Sequence, residues 1–210
     1  LSFSGADRNL FGVAFSGAKE RIVALQREKW WQKALPLTRK LASPSRNQPL
    51  YLQKLDVLEA LGWNKSSPGW SWVFSNEAEQ KAANQAFPHT IYLSVSAYGS
   101  PHKEWPLDKW AEAARFVWEV RPEIMFLVGY ASGEREAQRA RQLAGLVTNP
   151  QKFKLLDTSP SLAEIAVILK RAELFAGLDS GLLHLAVALG KPTVSVFRDY
   201  VGKSEWAPEG

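Results

Sequence analysis

The stretch "FAGLDSGLLHLAVALGKPTVSVF" spans Phe175–Phe197, and the way it divides into elements decides the fold. Leu174–Leu178 is a short apolar run of strand length. Gly181–Leu189 has the composition and length of a helix, and Thr193–Phe197 alternates as a strand after Gly190 and Pro192. A strand, a helix and a strand joined by links this short form a right-handed βαβ unit with parallel strands. Asp179-Ser180-Gly181 then lies where a strand ends and a helix begins, with His184 about one turn further on.

The same alternation runs back to Pro88. Ile91–Ala97 is strand-like, and Leu107–Val120 is a helix with Trp110, Ala114 and Val117 on one side. Ile124–Tyr130 reads as a buried strand, Gly133–Leu146 as a charged amphipathic helix and Phe153–Asp157 as a short strand. Ser161 is the expected N-cap of a helix reaching Ala172, with Glu164 completing a capping box. Such alternation predicts an α/β fold with a parallel, doubly wound sheet, whose ligands bind beyond the carboxyl ends of the strands.

Before Pro88 the pattern is mostly helical and is broken by Pro36, Pro44, Pro49 and Pro68. Leu50–Gly62 has helical leucine spacing with Gly62 as a C-cap, Trp70–Phe74 is read as a short strand and Glu77–Phe87 as a helix. Two domains are therefore expected, 1–88 and 89–210.

Composition narrows the function. The 210 residues include no cysteine, which removes disulfides, thiolate metal sites and a cysteine nucleophile. No apolar run has the length of a membrane span. Between Lys19 and Arg46 eight bases face two acids, around Trp30 and Trp31. That stretch is either a solvated helix face with a Trp anchored in the core, or a surface that attracts an anionic membrane or an anionic lipid-linked substrate. No nucleic-acid motif accompanies it, so nucleic acid is not an expected partner.

Three clusters carry chemistry. At Asp179-Ser180-Gly181 the helix start offers amides to an anion, Ser180 is placed to cap them and Gly181 admits a ligand close to the backbone. A carboxylate suits sugar hydroxyls better than phosphate, so phosphate donors beside Asp179 suggest a nucleotide-sugar. The alternative is that Asp179 caps the helix and His184 is a core histidine. In "SAYGSPHKEWPLDKW" (Ser96–Trp110), Gly99 and Ser100 offer backbone and hydroxyl donors, and Lys103 offers a mobile positive charge for phosphate. The alternative is a solvent-exposed lysine. In "VGYASGEREAQRA" (Val128–Ala140), Glu134 either accepts from ribose hydroxyls or is a first-turn acid favoured by the helix dipole. Neither a Gly-x-Gly-x-x-Gly turn nor a Gly-Lys-Ser/Thr loop follows the first strand of this half.

Together, Lys103-Glu104-Trp105-Pro106, Gly129 with Glu134, and the block from Asp179 to Thr193 resemble the bacterial heptosyltransferases, glycosyltransferase family nine. Trp206-Ala207-Pro208 is similar to that family's segment after the last of these strands. Over residues 1–88 the likeness rests on the leucine helix and "LGW". The resemblance implies a GT-B fold of two Rossmann-like domains, the C-terminal one binding the nucleotide-sugar, typically ADP-heptose. It implies a lipopolysaccharide inner-core acceptor, a cytoplasmic location with peripheral membrane contact, and an inverting transfer without metal or other cofactor. Lys103 would hold the diphosphate, Glu134 the ribose and Asp179 the sugar hydroxyls, with Ser180, Gly181, Leu182 and His184 lining the site beside Gly99 and Ser100. The chain departs from the family where Tyr98-Gly99 replace a hydroxyl-bearing Thr of some members. No stretch matches the family's N-terminal catalytic aspartate either. The base is accordingly expected outside this chain, which reads as a fragment beginning at Leu1 and is not expected to catalyse transfer alone. Two alternatives stand beside this: another GT-B transferase using a different donor sugar, and a non-catalytic nucleotide-sugar-binding relative.

Overall fold

The structure, a computed structural model, describes residues 1, 6–25, 28–42, 48–64, 71–83, 85, 88–130, 133–156, 160–199 and 203–208. The chain divides into two compact units, Leu1–Pro68 with Val201–Glu209, and Gly69–Tyr200 with Gly210. The division falls ahead of the position expected from the change of pattern at Pro88.

In the first unit, helix α1 (Asp7–Ala14) precedes strand β1 (Ile22–Leu25), a 3-10 turn (Trp30–Ala34), strand β2 (Arg39–Ala42) and helix α2 (Leu50–Glu59). β1 and β2 pair in parallel, Ile22 opposite Arg39 and Leu25 opposite Ala42. A helical reading of Lys19–Arg46 is therefore corrected. Ile22–Leu25 is a short fully buried strand, an environment that needs a continuous apolar run rather than a helical period. Leu10, Val23 and Leu25 form the core here, with Val13, Trp31, Leu35 and Leu37 against them. Gly62, just beyond α2, takes the left-handed conformation (φ 87°) that favours glycine.

In the second unit, helix α3 (Asn76–Ala83) leads into strand β3 (Thr90–Ser94), helix α4 (Leu107–Val120), strand β4 (Met125–Val128), helix α5 (Glu134–Leu146), strand β5 (Phe153–Leu155), helix α6 (Leu162–Arg171), strand β6 (Leu174–Leu178), helix α7 (Gly181–Ala188) and strand β7 (Thr193–Val196). Helix α8 (Lys203–Trp206) belongs to the first unit. The sheet runs β5-β4-β3-β6-β7, and every pairing is parallel. Alternate side chains of each strand enter two cores. Leu93, Phe126, Val128 and Leu178 pack with Trp110, Trp118 and Leu143 of α4 and α5. Tyr92, Leu127 and Phe175 pack with residues of α3, α6 and α7 on the other side. This is the Rossmann-like α/β sheet expected, with helices on both faces.

A local signal explains the start of α6. Ser161 caps α6, accepting from the Glu164 amide while the Glu164 carboxylate accepts from the Ser161 amide at 2.6 Å. That bond holds the Glu164 carboxyl below its ordinary value. Of the strand read over Trp70–Phe74, Trp70 lies outside the described residues and 71–75 form no strand. Trp72 instead donates from its indole to the Ala188 carbonyl at 2.9 Å. Lys170 lies over the Phe74 ring. The aromatics are spent on side-chain anchoring, not on a ladder. Of the helix read over Glu77–Phe87, residues 84, 86 and 87 lie outside the described residues, as does Asp157 at the end of β5.

Candidate functional site

The three chemical clusters follow β3, β4 and β6, which are neighbours in the sheet with β3 at the centre. All three loops therefore leave from the carboxyl edge. Between β3 and β6 the winding of the sheet reverses, and a doubly wound sheet opens its ligand crevice at such a switch point.

The structure brings two of the expected residues together at that point. Lys103 Nζ lies 2.7 Å from Asp179 Oδ2, although they are 76 residues apart. The Asp179 side chain is 5% exposed and that of Lys103 29%. Lys103 is thus a half-buried, paired side chain rather than a free surface lysine. Lys103 closes a 3-10 turn (Pro101–Lys103), and its amide donates to the Ser100 carbonyl at 3.0 Å. Gly99, at φ 70°, supplies the left-handed bend that lets the chain turn there.

Ser180 departs from expectation. It occupies the N-cap of α7 in extended backbone but makes no side-chain cap bond. Its hydroxyl oxygen is buried and finds no hydrogen-bond partner among the described residues. A buried hydroxyl without a partner costs free energy unless something else satisfies it. Gly181 follows, and a Cβ placed there would meet nothing within 4 Å, so the helix start is open. Leu182 is half-buried against the core containing Leu183 and Ala186. His184 is exposed, not a core histidine.

Glu134 stands apart from the ion pair. It is the first residue of α5, its side chain is 84% exposed and it pairs with Arg141 at 2.5 Å. Gly129, just after β4, has an internal reason to be bare: a Cβ there would collide with the Tyr92 hydroxyl and ring.

Sequence reasoning missed a charged network beneath the Lys103 turn. The Glu104 side chain is 5% exposed and contacts Arg135 Nη2 at 2.5 Å and Arg139 Nε at 3.3 Å. The other Glu104 oxygen accepts from the Ala97 amide at 3.0 Å. Arg139 Nε donates to the Val95 carbonyl at 2.9 Å, and its Nη2 donates to the Trp105 carbonyl. Burial pulls the Arg139 guanidinium below its ordinary value while Glu104 opposes the shift. Hydrogen bonding to Glu104 holds Arg135 above its own ordinary value. The available signal was Arg135 and Arg139 one turn apart on α5, but they also fit a solvated face of a charged helix.

An amine, an open helix start and a buried carboxylate at one switch point can bind an oxyanion beside a hydroxyl-rich group. The family model described as Glycosyltransferase family 9 (heptosyltransferase) matches residues 13–204. Lipopolysaccharide heptosyltransferase 1 of Pseudomonas aeruginosa is 28% identical over 172 residues, covering 80% of this chain and 43% of that protein. The Salmonella typhimurium protein of the same name is 22% identical over 188 residues, covering 89% and 53%. The chain thus spans about half the length of the curated relatives it matches. Among solved structures, E. coli ADP-heptose lipopolysaccharide heptosyltransferase II aligns with a TM-score of 0.62 at 18% identity, over 90% of this chain and 59% of that one. The E. coli heptosyltransferase WaaC with ADP aligns with a TM-score of 0.59 at 19% identity, over 83% and 52%. At these identities the likeness speaks for the fold, the GT-B α/β arrangement.

Proposed function

This chain belongs to glycosyltransferase family 9, and from that premise we propose that it carries the nucleotide-sugar site of a heptosyltransferase acting on lipopolysaccharide. The donor is ADP-heptose and the acceptor the anionic lipid-linked inner core. The observation that supports this most is the pairing of Lys103 with the buried Asp179 at the switch point. The two groups answer the two halves of a sugar diphosphate. When donor enters, the Lys103 ammonium turns to the diphosphate oxygens, joined by the first amides of α7. Asp179, released from Lys103, accepts from the sugar hydroxyls. The Ser180 hydroxyl gains a partner in the bound phosphate or sugar, with Gly181, Leu182 and His184 beside it and Gly99 and Ser100 on the facing loop. Glu134 takes the ribose hydroxyls.

The chemistry follows from charge. In an inverting transfer the acceptor oxygen attacks the anomeric carbon as the diphosphate leaves, so negative charge grows on the leaving oxygens. Lys103 and the helix start stabilise that charge without a metal ion. A base on the acceptor side, outside the residues assigned here, takes the hydroxyl proton. Exposed Phe15 and Trp30 beside the basic residues of the first unit support peripheral contact with an anionic membrane at its cytoplasmic face. Among the described residues no helix is long and apolar enough to cross a membrane.

The test is calorimetry of the chain against ADP, UDP, ADP-heptose and UDP-linked hexoses, with Asp179→Asn in parallel. ADP and ADP-heptose are expected to bind, the sugar adding affinity that Asp179→Asn removes. Preference for a UDP-sugar would replace the donor, and binding of none of them would end the proposal.

A further inference from the structure

We propose that Glu104 and Arg139 are positioning residues: they clip the loop bearing Lys103 onto α5 and so set where its ammonium meets the diphosphate. This rests on the donor-site reading above and extends it to two residues that do not touch the donor.

The loop after β3 is short and is tied at both stems by side chains from elsewhere. Arg139 Nε holds the Val95 carbonyl on the way out, and Arg139 Nη2 holds the Trp105 carbonyl on the way back. The Glu104 carboxylate closes the loop on itself by accepting from the Ala97 amide, seven residues earlier. Its second oxygen receives Arg135 and Arg139 together. Lys103, next in sequence to Glu104, makes no part of this clip and faces Asp179 instead. Buried charges are costly unless fully paired, and a pair that serves stability alone is readily replaced by apolar packing. A planar guanidinium bridging two carbonyls and a carboxylate does something apolar packing does not: it fixes distance and angle.

A residue acting through Lys103 has a signature that a general structural role lacks. Its effect on ligand affinity disappears once Lys103 can no longer contribute. ADP is titrated by calorimetry into the 210-residue chain, Arg139→Met, Lys103→Gln and the double variant. Lys103→Gln keeps a donor for Asp179. Arg139→Met is expected to raise the ADP dissociation constant about ten-fold in the native background, the scale of losing an orienting partner. In the Lys103→Gln background the same change is expected to stay below about two-fold, because the coupled residues share one effect. Glu104→Gln, which keeps the acceptor for the Ala97 amide but loses the charge, repeats the comparison and decides the matter if Arg139→Met does not fold. Equal losses in both backgrounds, or no loss in either, overturn the positioning role while leaving the donor site standing. Failure of the unaltered chain to bind ADP overturns the donor site itself and this inference with it.

Discussion

Replacing Lys103 by Ala is expected to destabilise the fold as well as weaken donor binding. If Lys103 were solvent-exposed, the alternative the sequence leaves open, its loss would be nearly silent for stability. In the structure it is the partner, at 2.7 Å, of an aspartate whose side chain is 5% exposed. Removing one member of a buried pair takes a charge partner from the other, typically at about 3–5 kcal/mol. Lys103 is itself 29% exposed, so water replaces part of what is lost and the low end, about 3 kcal/mol, is the expected cost. For a chain of this size each kcal/mol moves the melting temperature by about 2–4 °C, giving a drop of about 6–12 °C. The reverse variant, Asp179→Asn, is milder, about 1 kcal/mol, since the lysine left behind can turn to water. The double variant Lys103→Ala/Asp179→Asn should therefore be more stable than Lys103→Ala alone, the coupling of a shared interaction. Urea denaturation followed by far-ultraviolet circular dichroism, on all four proteins, measures this. A Lys103→Ala stability within about 0.5 kcal/mol of the native chain, the range of surface substitutions, refutes the pairing. On the binding side, loss of a charge-assisted bond worth about 1.5–3 kcal/mol weakens ADP by about 10–150-fold.

Four further outcomes are open to measurement. Glu134→Gln should leave stability unchanged, since the side chain is 84% exposed, and should weaken ADP by about 2–12-fold without affecting pyrophosphate, which has no ribose. ADP affinity should be the same with and without EDTA, because Lys103 and the start of α7 supply the positive field; loss with EDTA, restored by magnesium, would contradict that assignment. Glu164, whose carboxyl is held low by Ser161, stabilises α6 above its unfolded value of about 4.3 and loses that contribution as pH falls through its folded value; the melting-temperature gap between the native chain and Glu164→Gln should therefore be present at pH 7 and close toward pH 3. Gly129→Ala should cost about 1–3 kcal/mol through collision with the Tyr92 hydroxyl and ring, and Tyr92→Phe should restore only a small part of it in thermal melts, because the ring itself stays in the way.

The second unit was largely legible because its signals are redundant. Leu107–Val120, Leu174–Leu178 and the Ser161–Glu164 cap each agree with their neighbours in period, length and link. The first unit offers no such repetition. β1 is four residues long inside a basic run, and four apolar residues have no period that separates strand from helix. Its partner β2 pairs from Arg39, seventeen positions beyond Ile22, with exposed, charged residues that read as surface. Trp72 and Phe74 alternate like a strand, yet an indole that finds a carbonyl on α7 has no need of a ladder.

The residue types of the site could be read from the sequence, but their meeting could not, and strand order is the reason. Alternating strands and helices predict a parallel sheet, yet many orders satisfy the alternation. In the order observed, β3 has β4 on one side and β6 on the other. The adjacency of β3 and β6 lets the loop after the first strand of the unit lie against the loop after the fourth, which is how Lys103 reaches Asp179 across 76 residues. Had β6 been added beyond β5, Asp179 would sit several strand spacings of about 4.8 Å from Lys103, and neither could answer the other. Glu134 shows the converse. Its loop follows β4, the other neighbour of β3, and its side chain points to solvent and Arg141 rather than to the ion pair. A diphosphate bridging from the β6 side toward the β4 side would span β3, whose own loop carries Lys103 at the midpoint. On the proposed donor reading, that puts the Lys103 ammonium where the diphosphate would lie, with Asp179 on the β6 side. In the proposed donor arrangement, the clip of Glu104 and Arg139 steadies the central loop that carries Lys103.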